Sequence, residues 1–153
     1  MIVVLGIGNR MRSDDGIGSI IASELKSFRL AKVNVFDCET SPENYLEQVI
    51  ALRPAWVIFI DACNFGGAAG EFKLFEYQEI PAVSYGLLST HTLPLGLSIE
   101  LIRNQVNCRI SLLGIQPKSL NFGMKLSEDL IRAKQEIIQF IFKLLSDKMV
   151  DLV

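Results

Sequence analysis

Thiols and imidazole are scarce in this 153-residue chain: it has three cysteines, Cys38, Cys63 and Cys108, and a single histidine, His91. The cysteines are odd in number and form no CxxC pair, which argues against a disulfide framework and against a thiolate zinc site, and fits a reducing cytoplasm. There is no HExxH and no serine nucleophile elbow, so neither a standard zinc site nor a standard serine hydrolase is supported. No excess of positive charge exists; the formal net charge is −2, so a basic groove for nucleic acid is not expected. No apolar run approaches the roughly 18–20 residues a bilayer requires. Met1 leads straight into an apolar strand without a basic leader, so no signal peptide and no stable membrane insertion are expected.

Half of the residues are apolar, and the length suits one domain over residues 1–153 with a substantial core. Met1–Leu5 reads as a buried strand, and Ile17–Phe28 carries apolar residues at helical spacing. Lys32–Cys38 reads as strand two. Thr40-Ser41-Pro42 starts a second helix, a cap followed by proline in the first turn, and Pro54 closes that helix after Leu52. Ala55–Ala62 is almost wholly apolar, as in a parallel strand covered on both faces.

Glu71–Tyr77 follows too closely for a helical crossover and is expected as an antiparallel edge strand. Ile80–Thr90 reads as irregular, Thr92–Gln105 as a third helix, and Cys108–Ile115 as strand five. A long helix is expected from Leu126 to about Asp147, capped by Ser127, with Leu130, Ile131, Ile137, Ile138, Ile141 and Leu145 facing inward. Leu152-Val153 reads as a frayed tail. The alternation predicts an α/β/α sandwich of about five mostly parallel strands, strand one central and strand four antiparallel.

Between the first strand and first helix lies Gly6-Ile7-Gly8-Asn9-Arg10-Met11-Arg12-Ser13-Asp14-Asp15-Gly16-Ile17-Gly18. Such turns usually cradle phosphate at a helix start, but Met11 stands where a dinucleotide fingerprint needs its third glycine, and Asp14 and Asp15 would repel an anion. Ligands in open α/β sheets bind beyond the carboxyl ends of the strands. Asp14 and Asp15 follow strand one, Asp61 ends strand three, and His91 precedes the third helix. All three segments open on one rim if the strands they follow are parallel and adjacent.

Each residue also has a plainer role. Asp15 or Ser13 would cap the first helix, Asp14 would hold the loop, Asp61 would serve a turn, and His91 would cap or pack. Together, two carboxylates and an imidazole suit an exchangeable divalent ion such as nickel, iron, manganese or zinc. Cys63 is expected to be a buried structural thiol rather than a nucleophile paired with His91. Asn9 is expected to tie the loop down. Arg10 and Arg12 are expected to be solvated or to hold a peptide carboxylate, and Phe65–Gly70 to contribute to a substrate groove.

The ordered set Gly6-x-Gly8-Asn9, Asp14-Asp15-Gly16-x-Gly18, Ser41-Pro42-Glu43-Asn44, Ile60-Asp61-Ala62, Gly70-Glu71, Thr90-His91-x-x-Pro94-Leu95 and Leu113-Gly114-Ile115-Gln116-Pro117 resembles the hydrogenase maturation endopeptidases. The Ser-Pro-Glu-Asn and His-x-x-Pro-Leu segments are closest to the branch that processes multisubunit, membrane-linked enzymes. The resemblance implies a cytoplasmic, aspartyl-type endopeptidase that removes the C-terminal extension from the precursor of a nickel–iron hydrogenase large subunit. It implies that Asp15, Asp61 and His91 contact a nickel ion carried by that precursor, and that Asp15 or Asp61 is the catalytic base. The ion would either polarise the scissile carbonyl or serve recognition alone. A monomer or weak oligomer is expected. The rival reading is a receiver-like, divalent-metal-binding phosphoacceptor module, in which Ser89, Thr90 and Lys118 would complete the site.

Overall fold

Apolar side chains placed on alternate sides of consecutive strands force the sheet to be covered twice. The computed structural model describes residues 1–83 and 95–151. In chain order the elements are β1 (Ile2–Ile7), α1 (Ile17–Ser27), β2 (Val33–Glu39), α2 (Leu46–Leu52), β3 (Trp56–Ala62), β4 (Phe72–Glu76), α3 (Ile80–Val83), α4 (Leu95–Arg103), β5 (Arg109–Ile115) and α5 (Glu128–Asp151). Short 3-10 turns precede α1, α2 and α3, at Ser13–Gly16, Pro42–Tyr45 and Tyr77–Glu79.

The five strands order β2-β1-β3-β5-β4. β1 pairs in parallel with β2 and β3, β3 with β5, and β4 runs antiparallel to β5 at the edge. The α/β/α class and the antiparallel edge strand match expectation. The middle position does not: β3 holds it, with β1 beside it. Both strands are buried along their whole length, so burial alone does not distinguish them.

The two faces follow the strand period of two. Ile2, Val4, Ile58, Ile60 and Leu113 meet Ile17, Ile21 and Leu25 of α1 and Leu130, Ile137, Ile138, Ile141 and Leu145 of α5. Val3, Leu5, Val57, Phe59 and Leu112 meet Val49 of α2 and Leu95, Ile99 and Ile102 of α4. Each fully buried Leu or Ile in the α5 seam stabilises by about 1.5–3 kcal/mol relative to exposure.

Ile131 departs from the expected inward set; it is 55% exposed, while Ala133 takes a place in the seam. At 3.6 residues per turn, Leu130, Ala133, Ile137, Ile138, Ile141 and Leu145 share one arc of the helix, and Ile131 falls just beyond the edge of that arc marked by Ile138. Ile80–Val83 is helical rather than irregular, entered through a capping box between Glu76 and Glu79. Asp15 and Ser13 do not cap α1: its cap position is Gly16, with no side-chain bond, because a 3-10 turn precedes the helix. The α2 entry shows the same substitution of a 3-10 turn for a side-chain cap at Ser41. The expected start of the third helix at Thr92 and the tail Leu152-Val153 lie outside the described residues.

Candidate active site

The first loop is built by close backbone approach. At Gly18 a Cβ would collide with the carbonyl oxygens of Ile7 and Ile60, and at Gly8 with that of Asp15. Only glycine lets α1 start directly against the ends of β1 and β3. The 3-10 turn carrying Asp14 and Asp15 therefore packs on β3. Gly6 of β1 pairs with Asp37 of β2 on one side and with Ile60 of β3 on the other. Asp61 follows Ile60, in the row Val57, Phe59, Asp61. The loop carrying Asp15 and the strand end carrying Asp61 thus belong to one rim, at the carboxyl ends of adjacent parallel strands. Asp15 is 1% exposed and Asp61 fully buried. His91 lies outside the described residues, as do Ser89 and Thr90. Among the described residues no three His, Cys, Asp or Glu side chains form a metal-sized cluster.

The two neighbouring acids have different environments. Asp15 Oδ2 accepts the Asn9 N–H at 3.1 Å, and Asn9 Oδ1 accepts the Met11 N–H at 2.9 Å, so Asn9 does tie the loop down. Asp14 is turned away into the protein. Its Oδ2 accepts from the Lys118 and Ser119 N–H groups at 2.8 and 3.1 Å and from Ser127 Oγ at 2.8 Å. Its Oδ1 accepts from the Ser127 N–H at 2.7 Å. Ser127 is also the cap of α5, its Oγ accepting the Leu130 N–H at 3.4 Å. One buried carboxylate therefore joins the first loop, the loop after β5 and the start of α5. Lys118 Nζ is paired with Asp129 at 3.0 Å. Asp14 is occupied by these four donors, so a receiver-like site, which needs both acids of the pair and a lysine aimed at them, is not formed.

Arg10 is not simply solvated. Its guanidinium donates to Ser19 Oγ at 2.8 Å, to the Ser19 carbonyl at 3.1 Å and to Asp37 Oδ2 at 3.0 Å, while Ser19 Oγ donates to Asp37 Oδ1 at 2.7 Å. Asp37 is an acid near the end of β2, as Asp61 is near the end of β3, and the same break in an apolar strand marks it in the sequence. Arg12 donates to the Leu120 carbonyl at 3.3 Å and lies over the Phe122 ring.

Gln116 organises the loop after β3. Its Oε1 accepts the Phe65 and Gly67 N–H groups at 3.0 and 3.2 Å, and its Nε2 donates to Asn64 Oδ1 at 3.2 Å. A groove of about 620 Å³ lies between the far end of this loop and α5, lined by Gly70, Glu71, Asp129, Arg132 and Glu136. A smaller one of about 410 Å³ opens on Gly8, Asn9, Arg10 and Met11. The second adjoins the loop bearing Asp15, and the first does not.

Cys63 is fully buried as expected. Burial, with the Asp61 carboxylate adding to it, pushes its thiol up to about 11. At neutral pH it is protonated and not a nucleophile. No helix among the described residues is long and apolar enough to cross a membrane.

Comparisons with known proteins agree with the fold. Residues 20–144 match the family model described as hydrogenase maturation protease. The chain is similar to the hydrogenase 3 maturation protease of Escherichia coli, 27% identical over 137 residues, covering 90% of this chain and 86% of that one. It is 34% identical to the [NiFe] hydrogenase maturation protease HycI of Thermococcus kodakarensis, whose crystal structure superposes with a TM-score of 0.81 over 95% of this chain and 92% of that chain. The hydrogenase maturating endopeptidase HybD of E. coli, at 23% identity and a TM-score of 0.83 over 96% and 93% of the chains, shares the fold.

Proposed function

The chain belongs to the hydrogenase maturation protease family, and from that membership we propose that it removes the C-terminal extension of a nickel–iron hydrogenase large-subunit precursor, using Asp15, Asp61 and His91 to recognise the nickel the precursor carries. The observation that carries the site assignment is the pair of buried acids beyond the carboxyl ends of the adjacent parallel strands β1 and β3, Asp15 in the 3-10 turn that packs on β3 and Asp61 on β3 itself. Leu95, which opens α4, follows His91 closely in the chain, and α4 packs on the face where Asp61 continues the Val57, Phe59 row.

Carboxylate oxygens and an imidazole nitrogen form a donor set suited to nickel(II). In this reading nickel arrives as part of the substrate. Hydrolysis then needs one water. Asp15 or Asp61 takes a proton from it, the water oxygen bonds to the scissile carbonyl carbon, and the C–N bond breaks as the proton passes to the leaving amine. Asn9 holds Asp15 through its N–H, which keeps Oδ2 fixed in the loop. Asp14 has no part in this step, because its oxygens are engaged by Lys118, Ser119 and Ser127.

The test is precursor processing on a gel by Asp15→Asn, Asp61→Asn and His91→Ala. Loss of outer support for a metal ligand costs about 10–100-fold, so each direct ligand replaced should cost at least about that much. The amide variant of whichever acid is the base should lose chemistry as well as binding. Wild-type rates in all three variants would contradict the assignment.

A further inference from the structure

The first loop and the loop after β5 are zipped together by their backbones. Ser13 N–H donates to the Gly123 carbonyl at 2.7 Å, the Gly123 N–H donates to the Met11 carbonyl at 2.9 Å, and Ser13 Oγ donates to the Asn121 carbonyl at 2.9 Å. Beneath them Asp14 clamps the same two segments. The result is an ordered platform, and on it stand Met11, Phe122 and Met124, 64%, 87% and 82% exposed. These are the three most exposed large apolar side chains among the described residues; the others range from 39% to 55%. Isolated apolar side chains on a surface are ordinary, but three grouped on a clamped pair of loops are the mark of a contact surface. Methionine adapts to an irregular partner, and an aromatic supplies an anchor.

Charge narrows the partner. Residues 9–13 and 117–126 contain Arg10, Arg12, Lys118 and Lys125 and no acid, in a chain whose formal net charge is −2. Arg10 and Lys118 are neutralised by Asp37 and Asp129. Arg12 and Lys125 have no carboxylate partner among the described residues, and Arg12 is stacked at the Phe122 ring. The platform is thus apolar with a cationic rim, and it continues directly along the chain into Asp15.

We propose that the Met11–Phe122–Met124 platform docks the folded hydrogenase precursor, at a segment that presents apolar side chains beside carboxylates, and so delivers the scissile region to the neighbouring rim. The proposal rests on the protease reading above for the identity of the partner. It assigns Met11, Phe122 and Met124 to affinity and not to chemistry. Arg12 and Lys125 favour the acidic side of the partner, so docking weakens as salt rises.

The test uses the triple variant Met11→Ser, Phe122→Ser, Met124→Ser, with Leu97→Ser, Leu101→Ser on α4 as a control of similar chemistry. Binding of nickel-loaded precursor is measured by calorimetry, cleavage on a gel, and self-association of the protease by sedimentation. The triple variant should bind at least about tenfold more weakly, with kcat near wild type once precursor is saturating, and the control should match wild type. Equal affinity of wild type and triple variant overturns the proposal. A wild type that binds precursor but never cuts it overturns the protease reading, while weakened binding of the triple variant still supports the docking surface. A wild type that does not bind precursor overturns both. Dimerisation of the wild type that the triple variant abolishes, with precursor affinity unchanged, assigns the platform to a second copy of this chain and overturns the proposal.

Discussion

Removing the Asp14 carboxylate should show how much of the site's order depends on one buried acid. In Asp14→Ala, four donors lose their acceptor together: the Lys118, Ser119 and Ser127 N–H groups and the Ser127 hydroxyl. A stranded buried donor costs about 1–3 kcal/mol. Lys118 is exposed and Ser119 and Ser127 half-buried, so water replaces part of what is lost, and a total of about 3–4 kcal/mol follows. In Asp14→Asn, the amide oxygen placed at the Oδ2 position keeps three of the four bonds. The amide nitrogen then meets the Ser127 N–H, donor against donor, and the loss of that one charge-assisted bond costs about 1.5–3 kcal/mol. With a urea slope near 2 kcal/mol/M for a domain of this size, the midpoint should fall by about 1.5–2 M for alanine and about 1 M for asparagine, at unchanged slope. A total stability of about 5–15 kcal/mol leaves both variants folded. Precursor processing by folded Asp14→Asn should fall far less than by Asp15→Asn. An alanine midpoint within about 0.3 M of wild type, or asparagine as damaging as alanine, would mean that the Asp14 carboxylate does not hold these segments together.

Gly18→Ala should damage folding and processing together, because the added methyl meets the Ile7 and Ile60 carbonyls; circular dichroism and the gel assay would record it. Cys63→Ser should process precursor at close to the wild-type rate, and alkylation of native Cys63 should be slow at neutral pH, since burial and Asp61 keep the thiol protonated up to about 11. Ile137→Ala should cost about 2–5 kcal/mol in urea melts, whereas Ile131→Ala, on the exposed side of α5, should fall within about 0.5 kcal/mol of wild type. Glu76 is held below its usual range first by the hydrogen bond from Arg109. A depressed carboxyl stabilises the fold above its unfolded pKa, about 4.3, and that contribution fades as pH falls through the lower folded value. Glu76→Gln should therefore lower the melting temperature at pH 7 and match wild type in strong acid. The gap should be worth at most about 1 kcal/mol, because both partners are more than a third exposed.

Periodicity was enough to read the layers. The unbroken apolar run Val57–Ile60 announces a strand covered on both sides, and the short Asn64–Gly70 connection forbids a parallel crossover before β4, which is antiparallel as expected. Strand order needs information that no single segment holds; β1 and β3 are equally buried, so the place of β3 in the middle is not written in either. The local fate of Asp14 and Asp15 is a different case. The two are adjacent and chemically identical, and the expectation that Asp14 holds the loop agrees with its contacts. Its partners Lys118, Ser119 and Ser127, however, lie more than a hundred positions along the chain, beyond the reach of any local pattern. The Arg10 contacts are hidden from the sequence for the same reason: its acceptors, Ser19 and Asp37, come into range only once α1 and β2 have packed on β1. Asp37 carries a local signal of its own, since it interrupts β2 as Asp61 interrupts β3.

The proposed recognition of nickel carried by the precursor predicts that two forms of the precursor behave differently. Wild-type protein incubated with nickel-loaded and nickel-free large-subunit precursor, with the shortened product followed by gel and its new C-terminus by mass spectrometry, tests it most directly. Cleavage of the loaded form at a single bond, with the nickel-free form left intact, is the predicted result. Equal processing of both forms would contradict it.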